Sequence, residues 1–577
     1  MNTVTTLALI LATMSFPTAA PAGSAQSKAV NTLADRYYEF RLATQPEVAY
    51  FSGVEISRHD GLYDNSPQAI AREQANEDEF LRELGQIDET ALRGGVDWIT
   101  YGFLKQALTS ARDLRVCRAE LWTVSQMSGW HLNYTQLAAL QPVGNAEFRQ
   151  QALSRWGKLP AWIDQEILNL ETGLKAGYSS PKAAVKRVIK QLDGALAIPA
   201  ANSPFASPAQ RDQDEAFKRQ FIKLVEKEIL PAVKRYRDYL ADVYLEKARS
   251  ALAVTANPDG RACYEASLRS FTTLDRGPEE VYELGRRTVA ANRQRVEKLG
   301  QTAYGIDDLV QIIEKIKKDP EDKFGSKQEL LEFSQSAVTR SHDAIPAWFG
   351  RVPERDAEVE PVPEYQDGTG VSAHYEPGSE TRPGIYRIPL YQPEKQSKGN
   401  AEATAFHEVW PGHHLQISLA QEIKGLHKIT QISWYSGMGE GWARYSESLA
   451  VEMGLYTTVT GPILRLAWPA RGMVVDPGIH VMGWTREQAV EFMGRSGRMT
   501  DIELDEMVDR IAVLPGQLTS YDSGGLEILA LRALAEERLG EAFDIREFHD
   551  RVLENGTVPL EMLRSHIESW LTTRITK

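Results

Sequence analysis

The sequence predicts a mostly α-helical protein with a large multi-helix fold. Apolar residues recur three and four positions apart over most of the 577 residues, as they do in amphipathic helices. Strand-like segments are confined to a stretch near residues 350–400, where prolines and glycines cluster. The chain is 42% hydrophobic and 9% aromatic, which excludes a disordered protein, and its length exceeds that of one ordinary core. We therefore expect several helical lobes and one small β-sheet.

The N-terminus predicts a secretory signal peptide over residues 1–22. An apolar run from about Leu7 to Phe16 is followed by small residues that allow cleavage near Ala22. An alternative interpretation of the same run is a frayed apolar tail. The run is too short to cross a bilayer, for which about 20 apolar residues are needed, and no later segment qualifies. The mature protein is therefore expected to be exported, either periplasmic or secreted, without a membrane span.

Helical patterns predict the rest of the fold in chain order. Amphipathic helices are expected over residues 30–43, 70–84, 92–114, 148–175, 181–196, 212–253 and 276–300. A loop rich in alanine, serine and proline over 199–208 divides a predicted N-terminal helical lobe, 23–205, from a C-terminal helical region, 206–577. These lobes are not expected to be independent of each other. Two loop-like segments interrupt the later helices, at 469–480 and 515–525.

Charge and cysteine content exclude several classes of function. The 79 acidic residues outnumber the 65 basic ones, and a net charge of -14 argues against a nucleic-acid partner. The two cysteines, Cys117 and Cys263, are too few for a cysteine-built zinc or iron–sulfur site. Any metal site must therefore use histidines and carboxylates. In an oxidising compartment the two cysteines could form a disulfide or remain as buried thiols, and the sequence leaves both open.

A histidine cluster with an adjacent glutamate is the strongest chemical signal in the chain. Three of the 11 histidines fall within eight residues, in HEVWPGHH. A zinc-binding HExxH helix sets its two histidines one turn apart, but here Pro411 stands four residues after His407. On an unbroken helix His413 would point ~120° away from His407. Since Pro411 must deform the helix and Gly412 tolerates unusual dihedral angles, we expect a bulge of two extra residues that brings His413 to the second ligand position.

The remaining ligands are predicted on a following helix. Glu440 would complete a His2Glu set and leave one coordination position open, as catalytic zinc requires. Glu447, seven residues later on the same face, could orient a ligand histidine or be an ordinary solvated or paired glutamate. His414 is the alternative second ligand, or a group that contacts the substrate or supports the ligands from behind. The competing interpretation is an irregular surface helix whose histidines are merely polar.

Five motifs resemble those of one known family. They are HEVWPGHHLQ, EGWARYSE, VVDPGIH, PGQLTSY and FHDRVLENGTVPL, and CYEASLRSFTTLDRGPEEVYELG further upstream is also similar. The chain resembles the bacterial domain-of-unknown-function 885 (DUF885) family, taken to contain zinc peptidases related in outline to the helical gluzincins. The resemblance implies a helical metallopeptidase with a deep channel and one zinc ion per chain. It places His407, His413 and Glu440 on zinc and makes Glu408 the general base.

Other groups are expected to contact the substrate. Peptide cleavage needs donors to the tetrahedral oxyanion, and His480 and Tyr521 are the candidates because both lie in the loop-like segments, although either could be purely structural. Residues 385–391 could form an edge strand that aligns an extended peptide. A bidentate arginine suits a substrate carboxylate, but the sequence does not choose among the three candidates. These candidates are Arg471, Arg495 and Arg498.

The predicted function is an exported zinc-dependent peptidase that hydrolyses peptide bonds by attack of metal-activated water. Two alternatives remain open. One is a zinc-dependent hydrolase of a non-peptide amide or ester, since an open zinc site polarises any carbonyl. The other is a non-catalytic metal-binding protein of the export compartment. The sequence does not predict the length of the substrate or the oligomeric state.

Overall fold

A computed structural model of the chain describes residues 22–364, 367–368, 371–379 and 382–575. The predicted mostly helical fold with one small sheet is confirmed. The predicted signal peptide lies outside the described residues except for Ala22, the first residue of the first helix. Among the described helices, none combines the length and the apolar character that a membrane crossing needs.

The N-terminal part of the chain consists of helices and connecting turns. The helices are α1 Ala22–Thr44, α2 Glu47–Phe51, α3 Pro67–Leu84, α4 Val96–Leu114, α5 Trp130–Leu140, α6 Ala146–Trp156, α7 Leu159–Lys175, α8 Lys182–Leu196, α9 Ser207–Arg211, α10 Glu215–Leu224, α11 Leu230–Tyr239 and α12 Leu245–Lys247. Single π-helical turns, Val225–Ile229 and Leu240–Tyr244, join the last three into one long rod.

The remainder of the chain is also helical, apart from three short strands. The helices are α13 Gly260–Thr272, α14 Pro278–Tyr304, α15 Leu309–Lys318, α16 Lys327–Trp348, α17 Lys398–Glu408, α18 His413–Gln421, α19 Ser436–Glu452, α20 Thr460–Ala467, α21 Arg471–His480, α22 Arg486–Gly494, α23 Asp501–Val513, α24 Ser520–Leu539, α25 Ile545–Leu553 and α26 Leu560–Ile575. The strands are β1 Ala357–Pro361, β2 His374–Glu376 and β3 Gly384–Ile388.

Three predicted segments differ from the structure. The segment 515–525, predicted as a loop, is helical from Ser520 onward, where α24 begins. The single helix expected over 148–175 is divided into α6 and α7 at Gly157, because Pro160 starts a new helix there. The segment 469–480, predicted as a loop, is mostly helix α21, which accommodates Pro477 in its interior. Every residue of α21 is buried, so packing against neighbouring helices outweighs the local preference for a loop.

The small sheet has the order β1-β3-β2. Strand β3 pairs in parallel with β1 and antiparallel with β2, so it is the central strand. The prediction that residues 385–391 form an edge strand for a peptide is therefore wrong, because both edges of β3 are already paired. The edge nearer the histidine cluster belongs to β2.

Two large hydrophobic cores hold the helices together. One is built from residues between Val124 and Ala248. The other combines residues between Val30 and Leu108 with residues between Leu274 and Leu571. Cys117 and Cys263 form a disulfide in a third, smaller core, which resolves the alternative that the sequence left open. The predicted division at residue 205 stays a prediction.

Glycines allow α19 and α24 to pack at very short range. A Cβ atom on Gly524 would lie 1.8 Å from the carbonyl oxygen of Gly437, and one on Gly441 would lie 2.5 Å from the Cα of Gly524. No side chain fits at these positions. The close contact presses the start of α24, with Tyr521 and Asp522, against the helix that carries Glu440.

Candidate metal centre

The histidine motif folds as two helices rather than one bulged helix. Helix α17 ends at Glu408 and α18 begins at His413, with a cis peptide between Trp410 and Pro411 in the four-residue link. Gly412 passes so close to α17 that its Cβ would lie 1.9 Å from the carbonyl oxygen of His407. The predicted bulge is therefore wrong in form, because the proline ends the helix instead of deforming it. The predicted approach of the two histidines is nevertheless observed.

Two hydrogen bonds connect helix α19 to this link between α17 and α18. The carbonyl oxygen of Pro411 accepts hydrogen bonds from Trp442 Nε1 at 2.8 Å and from Ser446 Oγ at 3.1 Å. Trp442 and Ser446 are one turn apart on α19, with Arg444 between them in the sequence. Because the same helix presents Glu440, these bonds fix the position of that carboxylate relative to the two histidines.

The structure brings His407, His413 and Glu440 together. One ligand atom from each lies within 4.8 Å of the others. Glu440 Oε2 is 3.5 Å from Nε2 of His407 and 3.5 Å from Nε2 of His413. Ligands on one tetrahedral zinc, at about 2.0–2.1 Å from the metal, are roughly 3.4 Å apart. The donor types and their separations therefore fit a zinc ion.

Glu447 orients the first of these histidines. Nδ1 of His407 donates to Glu447 Oε1 at 2.9 Å, so its Nε2 faces Glu440. Arg444 Nη1 donates to the same Glu447 oxygen at 2.7 Å. A carboxylate behind a ligand imidazole is the usual outer partner in zinc sites, where it fixes the tautomer and raises the basicity of the ligand.

The electrostatics of the cluster favour a positive charge at its centre. Burial alone would lower the pKa of His407, but hydrogen bonds to Glu440 and Glu447 outweigh it and raise that pKa to about 10. Burial raises the pKa of Glu440, but both histidines more than offset this and hold it well below its usual range. A metal cation bound by the three side chains would supply the same positive charge next to the carboxylates.

His414 points away from the cluster. Its Nδ1 lies 2.9 Å from the Tyr375 hydroxyl, and its Nε2 donates to the carbonyl oxygen of Arg355 at 3.1 Å. The ring is fully buried, and burial lowers its pKa to about 4, so it is neutral. With both nitrogens already bound, His414 is not placed to be the alternative ligand.

Glu408 lies beside the cluster and is held by the sheet. Its Oε2 accepts a hydrogen bond from the backbone N–H of Tyr375 in β2 at 3.0 Å. The negative charge of Glu408 contributes to the raised pKa of the His407 imidazole. The other carboxylate oxygen makes no hydrogen bond within the described part of the chain, so it is available to a water or a substrate. The edge of the sheet thus positions the predicted base.

The two predicted oxyanion donors have different surroundings. His480 is fully buried: its Nδ1 accepts from the backbone N–H of Val254 at 3.0 Å, and its Nε2 donates to the carbonyl oxygen of Ile511 at 2.9 Å. Neither nitrogen is left for a substrate, which argues against the predicted role. Tyr521 is partly exposed and lines a cavity together with Arg444.

The three arginines that the sequence offered as carboxylate binders also differ. Arg471 donates to the carbonyl oxygens of Ala467 and Phe492, so its hydrogen bonds are structural. Arg495 pairs with Glu491 on an exposed helix face. The side chain of Arg498 makes no hydrogen bond or ion pair within the described residues. Burial lowers the pKa of this arginine, and the negative charge of Glu447 offsets part of that effect.

Sequence reasoning missed three residues around the cluster. Arg444 could have been found, because it lies four residues after Glu440 and three before Glu447, on the same face of one helix. Tyr375 gives no local signal, since only the register of β2 brings it to Glu408. Trp434, half exposed with its ring 6.3 Å from that of His413, gives none either.

Comparison with known proteins identifies the family and the fold. The sequence model of a family described as "Bacterial protein of unknown function (DUF885)" matches residues 46–567. The structure is similar to that of a "putative lipoprotein" from Colwellia psychrerythraea, with a TM-score of 0.85 and 22% identity over 95% of this chain and 100% of that one. A "putative lipoprotein of unknown function" from Shewanella oneidensis gives a TM-score of 0.77 and 18% identity over 95% and 99%. These likenesses concern the fold alone. No curated protein matches the chain.

Proposed function

We propose that this chain, which belongs to the DUF885 family of bacterial proteins, is an exported zinc-dependent peptidase with His407, His413 and Glu440 as its metal ligands. The observation that supports this most is the convergence of these three donors within 4.8 Å. Two imidazoles and one carboxylate form a ligand set that catalytic zinc sites use, with a fourth position open.

The exposure of the ligands favours a catalytic site over a structural one. The side chains of His407, His413 and Glu440 are 15%, 10% and 20% exposed, so the cluster is recessed but not sealed. A closed structural zinc site would need a fourth protein ligand. Within the described residues no further histidine, cysteine or carboxylate joins the group.

The surrounding residues have complementary chemical roles. Zinc, when bound, supplies a Lewis acid that polarises a carbonyl group and lowers the pKa of a water molecule toward about 7. Glu408, aligned by the N–H of Tyr375, would accept the proton of that water and pass it to the leaving amine. Glu447 would keep the Nδ1 proton of His407 in place. Tyr521 stays a candidate donor to the substrate, whereas His480 has no free nitrogen for this role.

Export is supported by two observations besides the predicted signal peptide. The disulfide between Cys117 and Cys263 is typical of oxidising compartments outside the cytosol. Two structural neighbours are described as "putative lipoprotein", and lipoproteins are a class that is exported in bacteria. We therefore propose the periplasm or the external medium as the location.

Glu408→Gln is the variant that tests the peptidase proposal. Gln keeps the hydrogen bond from Tyr375 but cannot accept a proton, so we expect normal zinc content with hydrolysis of a mixed peptide library reduced about 10²- to 10⁴-fold. Glu422→Gln is the matched control and should keep full activity, because Glu422 is a partly exposed glutamate after α18 that likewise accepts a backbone hydrogen bond, from the N–H of Glu354. Full activity in a zinc-loaded Glu408→Gln protein would remove Glu408 as the base.

A substrate panel separates peptides from other substrates. A wild-type enzyme that cleaves esters or non-peptide amides, and leaves all peptides intact, would replace the peptidase with the alternative hydrolase. A zinc-loaded protein that cleaves neither class would support the non-catalytic alternative.

A further inference from the structure

A small cavity lies directly behind the residues that orient the metal ligands. It has a volume of about 130 Å³, and its walls include Arg444, Trp468, Met507, Arg510, Tyr521 and Asp522. Arg444 links it to the candidate metal centre, because this arginine binds Glu447, which in turn binds His407. Since Arg444 and Glu440 are four residues apart on α19, they are neighbours on one helix face.

The small cavity adjoins a larger one of about 550 Å³. The two share Met507 and Arg510 in their walls. The larger cavity is bounded by separate parts of the chain, including Met127, Ser372 and Met499. Ser372 lies three residues before Tyr375, the residue that holds Glu408. The shared walls therefore place Arg510 between an open cavity and the surroundings of the cluster.

Arg510 carries a charge that no carboxylate neutralises directly. Its Nη2 donates to Gln517 Oε1 at 2.7 Å and to the Tyr521 hydroxyl at 3.4 Å, and neither partner is a carboxylate. Its Nε is buried without a hydrogen-bond partner. Within the described residues no acidic group forms an ion pair with it.

The acidic groups near Arg510 are Asp522 and Asp476, together with Glu503 and Glu506 in the wall of the larger cavity. Asp522 Oδ1 lies 3.2 Å from Arg444 Nε, and Arg444 also binds Glu447. Asp476 is fully buried, and the hydrogen bonds that it accepts from Tyr264 at 2.8 Å and from the backbone N–H of Gly516 at 2.8 Å both go to Oδ1. Its Oδ2 has no hydrogen-bond partner among the described residues, and the positive charge of Arg510 partly offsets the rise that burial causes in the pKa of Asp476. The cavity therefore has a guanidinium in excess, and a partly buried charge of this kind is stabilised by an anionic partner.

We propose that Arg510, assisted by Tyr521, binds a carboxylate group of the substrate in this cavity. The inference rests on the proposed peptidase function for its link to catalysis. Arginine presents a fork of donors that matches a carboxylate, and the phenol of Tyr521 adds a further donor. The apolar parts of the wall, from Trp468 and Met507, would accept an aliphatic side chain next to that carboxylate.

The position of the cavity predicts where the substrate is cut. Side chains four residues apart on a helix have Cβ atoms about 5–6 Å apart, and one extended residue of a peptide spans about 3.3 Å. A carboxylate held beyond Arg444 would therefore lie only a few residues from the bond at the metal centre. The substrate class is a peptide whose C-terminal carboxylate, or an acidic side chain, lies close to the cleaved bond.

Binding of small probes tests this without any turnover. N-acetyl-leucine and N-acetyl-leucinamide differ only in the carboxylate, and calorimetry on the zinc-loaded wild-type protein should show about 10- to 100-fold tighter binding of the acid. Arg510→Gln should abolish this difference and Arg510→Lys should restore part of it. Arg235→Gln, an exposed arginine paired with Asp164, is the control that should keep it. Melting temperature and zinc content verify that each variant is folded.

Paired substrates identify the source of the carboxylate. A peptide with a free C-terminus, its C-terminal amide, and an amide ending in Glu are compared in wild type and Arg510→Gln. If the wild type cleaves the free acid faster than both amides, Arg510 binds the terminal carboxylate. If it cleaves the amide ending in Glu as fast as the free acid, Arg510 binds an acidic side chain. Equal binding of both acetyl-leucine probes by the wild type, or a preference that survives in Arg510→Gln, would overturn the proposal. Probe binding without cleavage of any peptide would instead count against the peptidase function alone.

Discussion

The imidazole of His407 is held between two carboxylates, and its bond to Glu447 sets the direction of its metal-binding nitrogen. Nδ1 lies 2.9 Å from Glu447 Oε1, and Nε2 lies 3.5 Å from Glu440 Oε2. Glu447 is itself held by Arg444 at 2.7 Å. The candidate ligand is therefore oriented before any ion arrives, which lowers the entropic cost of binding one.

Removing Glu447 should weaken zinc binding. In Glu447→Ala the ring of His407 loses the partner that fixes its tautomer, and we expect zinc affinity to fall about 10- to 100-fold. Competition with a fluorescent chelator measures this affinity. Glu452→Gln, near the end of the same helix and paired with Arg532, is the control and should bind zinc normally. Unchanged affinity in a folded Glu447→Ala protein would show that this carboxylate has no role in the site.

Gly412→Ala should disrupt the link between the two histidine helices. The new methyl group would meet the carbonyl oxygen of His407 at 1.9 Å, so the backbone must shift at the cluster. We expect a loss of about 1–3 kcal/mol in the free energy of unfolding together with weaker zinc binding. Gly194→Ala, on α8 with open space at its Cβ, should be neutral or slightly stabilising. Equal behaviour of the two variants in urea unfolding and zinc titration would contradict this role of Gly412.

The metal-free protein should lose stability at alkaline pH. The pKa of His407 is raised from 6.5 to about 10 by Glu440 and Glu447, against the effect of burial. A raised pKa stabilises the fold fully below about pH 6.5, and this contribution is lost as the pH rises to about 10. The melting temperature of chelator-treated wild type should therefore fall more steeply over this range than that of His407→Gln. Parallel curves for the two proteins would show that this ionisation does not affect the fold.

The disulfide should contribute to stability but not to zinc binding. Cys117 and Cys263 are separated by 146 residues, and closing a loop of this size stabilises a fold by about 5 kcal/mol in the chain-entropy model. The double variant Cys117→Ser, Cys263→Ser should unfold at lower urea concentration and keep its zinc. Adding a reductant should shift the wild type to the same midpoint and leave the variant unchanged. A wild type whose unfolding does not respond to reductant would mean that the bond adds nothing.

The approach of the two candidate histidine ligands could be predicted because their spacing is local in the sequence. His407 and His413 are six residues apart, and Pro411 between them predicts that the helix cannot continue. The form of the break could not be predicted, because it depends on bonds from Trp442 and Ser446 to the carbonyl oxygen of Pro411. Those bonds come from another helix, and no local pattern specifies them.

The surroundings of the site depend on long-range packing and were harder to predict. Tyr375 reaches Glu408 only through the register of the sheet, and Arg510 meets Tyr521 only through the fold. Helix α21 was predicted as a loop because Pro477 and the nearby glycines dominate its local pattern, whereas complete burial decides its structure. The same burial removes His480 as a donor to the substrate.

The location of a bound zinc ion tests the central claim most directly. Anomalous diffraction at the zinc absorption edge, from crystals of zinc-loaded protein, should show one peak about 2.0–2.2 Å from His407 Nε2, His413 Nε2 and a carboxylate oxygen of Glu440. A peak at other residues, or none at this cluster in protein that binds zinc in solution, would contradict the proposed metal centre.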